Sequence, residues 1–459
     1  MAISFGNLAQ GWRSPHFWID RIGAITAGAI AKAAVNTTAF RVYSLVVSLC
    51  TTIIMARELG VDGFGVYMIG VSAAFAASIL ARAGLPSQIT RTVADACGSG
   101  RAAGLPRFAL FTAAIASGLS VVVSAAGAVS VSVFMRNAPA EMSSAAVLGC
   151  LIAPLMTLVI IAQSHMRGMM RPIAAYGPQL ALAPSLLLIS VLGLAAAGQL
   201  TPRMALFAFA TSWAAAATLA WTGVALALRR DVESHATDIA PLMKIGPWLQ
   251  GAAILIIGGL FEIFLGVVDL LVIGAVTDPA TVGVYALAAR FAAPVAMPTA
   301  AIASGLGPMI AALNASDDIS AIQIRLRKSV IASMLTSYVV AAIACLGSML
   351  VAQFMELDWR SMIIPMAILT AALLARATLG NPYEVLVMLG RRRPAAFVTA
   401  TTYGVGLIAL FFAAGAFGVF GAATAVAATI AIRDLLLAIA LARLTGLRSD
   451  IFAVAKTAA

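Results

Sequence analysis

The sequence predicts an all-α integral membrane protein, with about 12 transmembrane helices in two six-helix lobes around a central cavity. Three observations predict it. First, 62% of the 459 residues are hydrophobic and only 10% are charged, where a soluble domain carries about 25% charged residues. So few polar side chains cannot cover a water-exposed surface. Second, apolar runs of about 20 residues recur along the chain, the length at which a helix crosses a hydrocarbon core of about 30 Å. A helix satisfies its own backbone hydrogen bonds there, as lipid requires. Third, a short stretch returns. Ala56–Ser72, ARELGVDGFGVYMIGVS, carries Gly65-Val66-Tyr67, and Val276–Ala289, VTDPATVGVYALAA, carries Gly283-Val284-Tyr285, 218 residues later. A repeat at a little under half the chain length predicts two related halves, and related halves suggest a transporter.

Residues 1–34 mix Trp12, Phe17 and Trp18 with Arg13, Arg21 and Lys32. They lack a compact apolar core followed by a cleavage site. An interfacial helix on the inner leaflet fits them, with a disordered tail as the alternative. The spans then read 35–56, 64–85, 108–134, 143–166, 173–197, 204–228, 248–275, 282–309, 329–353, 361–389, 395–417 and 419–442. Residues 35–228 form an N-lobe, 229–247 a cytoplasmic linker, 248–443 a C-lobe and 444–459 a cytoplasmic tail.

The loop charges support this reading. With the N-terminus inside, 21 of the 29 Lys and Arg fall in inside segments and only Arg57, Arg136, Arg203 and Arg360 fall outside. Such a bias places both termini in the cytoplasm. Each lobe starts and ends inside, so the lobes are parallel repeats with a substrate site between them. Proline interrupts several spans: Pro154, Pro178, Pro184, Pro294, Pro298 and Pro382. Each frees a backbone carbonyl and can hinge its helix. Gly258, Gly259 and Gly266 allow close helix approach in the seventh span.

No residue pattern carries covalent chemistry. The four cysteines (Cys50, Cys97, Cys150, Cys345) and three histidines (His16, His165, His235) show no metal spacing. There is no Ser/His/Asp set and no phosphate loop of GxxxxGK type. The expectation is a protein that is not an enzyme, with no catalytic residue, no metal and no cofactor. The net charge of +11 reflects inside loops rather than a nucleic-acid partner.

What needs explaining is charge inside the membrane, which costs at least about 2.5–3.5 kcal/mol per residue near a helix centre. Arg41 and Arg57 are only about 24 Å apart along a helix, too close to mark both ends of a span. Arg41 therefore lies within the first span near its inner end, where snorkelling to the interface is the competing reading. Arg82 lies near the inner end of the second span, where it also fits an ordinary positive-inside residue. Arg290 lies about 12 Å into the eighth span, one turn before Pro294. It suits a cavity wall, or an ion pair with Glu262 or Asp269. Those two acids lie seven residues apart on one face of the seventh span, and desolvated Glu262 suits a proton relay. Arg376, Asn381 and Glu384 surround Pro382 in the tenth span. Arg433 and Asp434 are adjacent and point about 100° apart; they are expected to serve packing and not to pair on one face. Arginine in the first half, with no buried acid there, suits an anionic diphosphate.

The run TTIIMARELGVDGFGVYMIGV at Thr51–Val71, LARAGLPSQITR at Leu80–Arg91 and GVYALAARFAAPVAMP at Gly283–Pro298 resemble polysaccharide flippases of the Wzx type. These are part of the multidrug/oligosaccharidyl-lipid/polysaccharide exporter superfamily. The resemblance implies a V-shaped molecule in a bacterial inner membrane. It would move an undecaprenyl-diphosphate-linked oligosaccharide, an exopolysaccharide or O-antigen repeat unit, to the outer leaflet. Its partners would be that lipid-linked oligosaccharide, membrane lipids, and a polysaccharide polymerase with export machinery. In the similar lipid II flippases, arginines of helices 1, 2 and 8 meet the diphosphate; here those are Arg41, Arg82 and Arg290, with Arg376 as a fourth candidate. Arg82 departs from that pattern by lying near the inner end of its span. Drug/cation antiporters of the same superfamily are the rival. They carry acids in helices 7 and 10, here Glu262, Asp269 and Glu384 as candidate ion-coupling groups, but many carry an acid where this chain has Arg41. A proton gradient, a sodium gradient or the membrane potential would drive either cycle. A non-transporting scaffold of a polysaccharide assembly complex is the third alternative.

Overall fold

The structure is a computed structural model describing residues 15–82, 84–99, 101–235, 246, 248, 267–315, 319–354 and 359–449. Helix α1 (Pro15–Arg82) is 68 residues long and breaks at Gly60, whose φ of 68° and ψ of 174° suit only a residue without Cβ. The break falls in the expected connection and turns one helix into spans 1 and 2. The segment before residue 35 is helical from Pro15 and runs into span 1 without interruption.

Helix α2 (Leu85–Gly98) follows Gly84, itself at φ 74°. It buries Leu85, Ile89, Val93 and Ala96, one face of a helix, and turns its polar residues outward. The expected spans place no helix over 86–107, because the apolar face of this 14-residue helix is too short to cross a membrane. Then come α3 (Leu105–Phe134) and α4 (Ala140–Gly168). Span 5 is composite: α5 (Pro172–Gly177), a π-helical turn (Pro178–Leu182) and α6 (Ala183–Ala196). Helix α7 (Pro202–His235) completes the first half.

The second half begins with α8 (Val267–Val276), the described part of span 7. Asp278 caps α9 (Pro279–Ala292): its Oδ1 accepts from Thr281 N at 2.7 Å, and Pro279 opens the helix. A 3-10 turn (Ala293–Ala296) joins α9 to α10 (Met297–Ala315), so Pro294 and Pro298 tighten span 8 where they stand. Helix α11 (Ile319–Phe354) is span 9. Span 10 is two pieces, α12 (Trp359–Leu379) and α13 (Pro382–Met388), separated at Gly380 with φ 72°. Asn381 Nδ2 holds that joint by donating to Thr299 O at 3.0 Å. Helix α14 (Arg392–Thr445) breaks at Gly418 into spans 11 and 12. Among the described residues nine helices are long and apolar enough to cross a membrane. The breaks at Gly60 and Gly418 divide two of them, and α8 supplies part of the twelfth.

The two repeats pack against each other. A Cβ on Gly65 would overlap the Pro279 carbonyl and stand 2.9 Å from Gly283 N; one on Gly283 would overlap the Val61 carbonyl. Around this crossing one apolar cluster unites both halves, with Phe64 and Ile69 beside Val282, Tyr285 and Leu287. At the arginine-rich end the halves have separate clusters. Leu85, Ile89, Phe108, Met166 and Trp248 form one, and Leu306, Ile310, Leu326, Leu386 and Leu437 the other. The halves therefore meet at one end and part at the other.

Trp248, expected to open the C-lobe, packs against helices of the first half. Its indole packs edge-on against Phe108 at 5.7 Å and against Phe111 at 6.1 Å, and its Nε1 donates to Thr92 at 3.0 Å. The residue expected to open the C-lobe is thus buried in the first half.

Candidate functional site

The span 1 part of α1 presents Arg41, Ser44, Ser48, Thr51 and Met55 at helical spacing on its inner face. Val42 and Val46 lie exposed on the same helix. The inner face borders a cavity of two connected chambers.

The larger chamber, about 730 Å³, opens at the arginine-rich end. Arg41, Arg82, Arg167 and Arg290 line it together with Gln163, Tyr176 and Gln179. The smaller chamber, about 250 Å³, lies toward the Gly65–Gly283 crossing. Thr51, Thr52, Tyr67, Phe75, Phe209, Ser212 and Trp213 line it. Ser44, Ser48, Gln179, Leu180 and Arg290 border both.

Four guanidiniums share the larger chamber, and among the described residues no carboxylate lines either chamber. Among the described residues none of the four makes an ion pair. Like charges in a poorly hydrated space repel, and an anion between them removes that repulsion while receiving forked hydrogen bonds.

The wall beyond the arginines is specific. Gln163 Nε2 donates to Gln179 Oε1 at 2.9 Å, joining α4 to the π-helical turn. That arrangement leaves the Gln179 NH₂ without a partner among the described residues. The wider π turn, lodged between Pro178 and Pro184, is what brings Gln179 and Leu180 to the cavity; such turns concentrate at functional sites. In the small chamber Phe75 and Trp213 meet edge-on at 6.4 Å, and Tyr67 and Phe209 at 6.5 Å. The rings hold one another rigid.

The structure thus gathers Arg41, Arg82 and Arg290 and adds Arg167. The fourth candidate, Arg376, lies elsewhere: its Nε is 3.8 Å from Asp434 Oδ2. Asp434 also receives Arg433 Nε at 2.9 Å and Nη2 at 2.6 Å. This corrects the expectation that neighbours pointing about 100° apart do not pair. The Arg433 side chain is long enough to turn back, and burial at 1% and 2% exposure leaves it no water to prefer. Arg433 Nη1 also donates to the Tyr403 hydroxyl, and the guanidinium lies 5.1 Å from that ring.

Asp269 does not reach Arg290. It is buried and accepts from Tyr285 Oη at 2.9 Å and from Leu270 N at 2.9 Å. Glu384 sits in the first turn of α13 and lines neither chamber. Glu262 falls outside the described residues.

Twelve spans, two halves meeting at paired repeats and a cavity opening between them define a transporter architecture. A solved multidrug resistance MATE family transporter of the MOP superfamily, in an inward-facing conformation, superposes with a TM-score of 0.71 at 12% identity, over 88% of this chain and 96% of that one. The chain has the fold of MOP superfamily transporters. Lipid II flippase MurJ, in an inward closed conformation, is similar with a TM-score of 0.52 at 12% identity, over 86% and 87% of the two chains. So is a MOP superfamily transporter from Pyrococcus furiosus, whose binding pocket is described as reversed in polarity. Its TM-score is 0.55 at 13% identity, over 91% and 95%. No protein-family model and no curated protein matches the sequence.

Sequence reasoning missed Arg167, Gln163, Gln179 and the aromatic wall. Arg167 falls among the inside-loop charges, in the last turn of α4 where a snorkelling residue belongs. Gln163 and Gln179 are polar amides inside apolar spans, a weaker signal than charge. Phe75 and Trp213 look like any lipid-facing or core aromatic until helices are placed.

Proposed function

We propose that this MOP-fold transporter is a flippase for an undecaprenyl-diphosphate-linked oligosaccharide. The observation that supports it is the cavity of four arginines, with no lining carboxylate among the described residues. A diphosphate carries two or more negative charges within a few ångströms, the pattern that forked guanidiniums receive best. The solved neighbours include both multidrug transporters and a lipid II flippase, so the comparisons favour neither reading. The charge of the cavity favours the flippase, because a cationic drug would meet four like charges.

In this reading residues 35–228 and 248–443 rock against each other, alternately closing and opening the Gly65–Gly283 crossing. The cytoplasmic cavity admits the diphosphate headgroup, while the polyprenyl tail stays in lipid beside the opening. Closure behind the headgroup and opening at the repeats delivers it outside. The membrane potential acts on the cationic cavity with about 2.3 kcal/mol per charge per 100 mV; protonation at Glu262 is the second candidate drive. Polysaccharide polymerase and export proteins of a bacterial inner membrane would take the product.

The test is transport of an undecaprenyl-diphosphate-linked oligosaccharide in proteoliposomes. Arg290→Ala should lower the rate at least about tenfold, one lost charge-assisted contact of about 1.5–3 kcal/mol, and Arg290→Lys should fall between. Equal rates in all three would refute the headgroup role, and extrusion of a cationic dye by the wild type would support the antiporter instead.

A further inference from the structure

Arg290 stands on a helix that the second half holds from behind. We infer that Asn381 is a positioning residue for Arg290, and that the chain segment after span 12 locks Asn381 in place. The inference goes beyond the flippase reading, since it concerns where the cavity wall stands and not which anion enters.

Span 8 has two sides. Arg290, Ala293 and Met297 face the larger chamber, with Ala293 and Met297 exposed. Thr299 is buried, at 2% exposure, on the side turned into the second half. There its carbonyl accepts from Asn381 Nδ2 at 3.0 Å, and its hydroxyl lies 3.4 Å from the Ser337 hydroxyl of span 9. Between Arg290 and Thr299 lies the 3-10 turn Ala293–Ala296, whose poorer hydrogen-bond geometry marks a place where a helix yields. A span that bends there needs an outside hold on the part beyond the bend. Asn381 supplies it, drawing the helix away from the chamber.

Asn381 itself sits at a weak point. Helix α12 ends at Leu379, α13 starts at Pro382, and Gly380 between them has φ 72°. The last carbonyls of α12 lose their helical partners at such a break, and Pro382 has no N–H to offer them. The chain's own C-terminal segment satisfies one of them: Ser449 Oγ donates to the Leu379 carbonyl at 2.9 Å. A Cβ on Gly380 would stand 2.9 Å from the Ser449 carbonyl oxygen, so the backbone of this segment lies directly on the joint. Gln323 of span 9 fixes the segment in turn. Its Nε2 donates to Arg448 O at 2.7 Å, and its Oε1 accepts from Arg448 N at 2.9 Å. Leu447 is buried in the apolar cluster with Leu326, Leu386 and Leu437.

These contacts form one path. Gln323 and Ser449 fix the joint of span 10, Asn381 at that joint fixes Thr299, and Thr299 fixes the wall that carries Arg290. The part of the chain after the last span therefore sets the position of a cavity residue to which it has no direct contact.

The test uses the full chain in nanodiscs, in a background lacking the four native cysteines. Ala293→Cys probes the span 8 wall of the larger chamber, and Ser44→Cys probes the span 1 wall of the same chamber. The readout is the rate of reaction with a small maleimide. Asn381→Asp keeps the side-chain shape and removes the N–H donors. It should slow Ala293→Cys about three- to tenfold, the value of one hydrogen bond, and leave Ser44→Cys within about twofold. Gln323→Ala combined with Ser449→Ala should slow the same probe to a similar extent. Joined to Asn381→Asp, that pair should add less than about twofold, because groups acting on one path are not additive. A role confined to stability would lower the unfolding temperature and leave the ratio of the two probes unchanged. That outcome, an accelerated Ala293→Cys, or both probes moving together would overturn the positioning role. A tail pair without effect, or one whose effect multiplies with Asn381→Asp, would overturn the lock.

Discussion

Gly65 and Gly283, the glycines of the two GVY repeats, cross so closely that a Cβ on Gly65 would stand 2.9 Å from the Gly283 nitrogen. The repeat that divides the sequence into halves is therefore also the contact that joins them. Beside it Gly274 faces Ile69 and Met142 at similarly short range, a Cβ there lying 3.1 Å from Met142 Cε. Helix backbones approach this closely only where side chains are absent.

A side chain at the crossing should open it. Gly65→Ala places a methyl group against the backbone of α9, where no flexible side chain is available to yield. Overpacking of this kind costs about 1–3 kcal/mol, charged to the state in which the halves touch here. In a background lacking the four native cysteines, a Val61→Cys probe should react with a membrane-impermeant maleimide about tenfold faster in Gly65→Ala than without it. Equal labelling rates would show that the crossing does not hold the halves closed.

The buried cluster of Arg376, Tyr403, Arg433 and Asp434 should act as a structural anchor of the second half. Removing the acid leaves the buried Arg433 guanidinium beside the partly exposed Arg376 with no counter-charge among the described residues. Asp434→Ala should cost about 3–5 kcal/mol, the usual loss on breaking one side of a buried ion pair. Arg433→Leu in the same chain should recover part of it, since the paired removal deletes the stranded charge. Thermal unfolding in detergent measures both, and a double variant no more stable than Asp434→Ala would contradict the account.

Trp248 should tether the segment between the halves to α2 and α3. Trp248→Ala removes the indole from Phe108 and Phe111 and its hydrogen bond from Thr92, a change of about 3–5 kcal/mol for a large buried aromatic. Tryptic cleavage at Lys244, four residues before it, should accelerate, and Trp248→Phe should restore most of the protection. A cleavage rate indifferent to residue 248 would rule the tether out.

The membrane fold was legible in the chain because its causes are local. A run of about 20 apolar residues must be a helix in lipid whatever surrounds it. Gly60, Gly380 and Gly418 break helices where a positive φ is required, and such breaks are carried by the residue itself. The eighth span, expected from residue 282, starts three residues earlier at Pro279, where Asp278 caps the helix. Three of the four cavity arginines were likewise visible, since charge at the wrong depth stands out against apolar sequence.

The partnerships were decided only by the fold. Arg41, Arg82, Arg167 and Arg290 are spread over 249 residues of sequence and share one chamber because four separate spans converge. Arg376 has the same local signature, yet the packing of span 10 against span 12 brings it to Asp434. Asp269 bonds Tyr285 and not Arg290, because hydrogen bonds depend on ångström distances that spacing along one helix does not fix. The sequence by itself determined that these charges must be satisfied inside a membrane. The tertiary structure alone decided whether a neighbouring side chain or a ligand would satisfy each one.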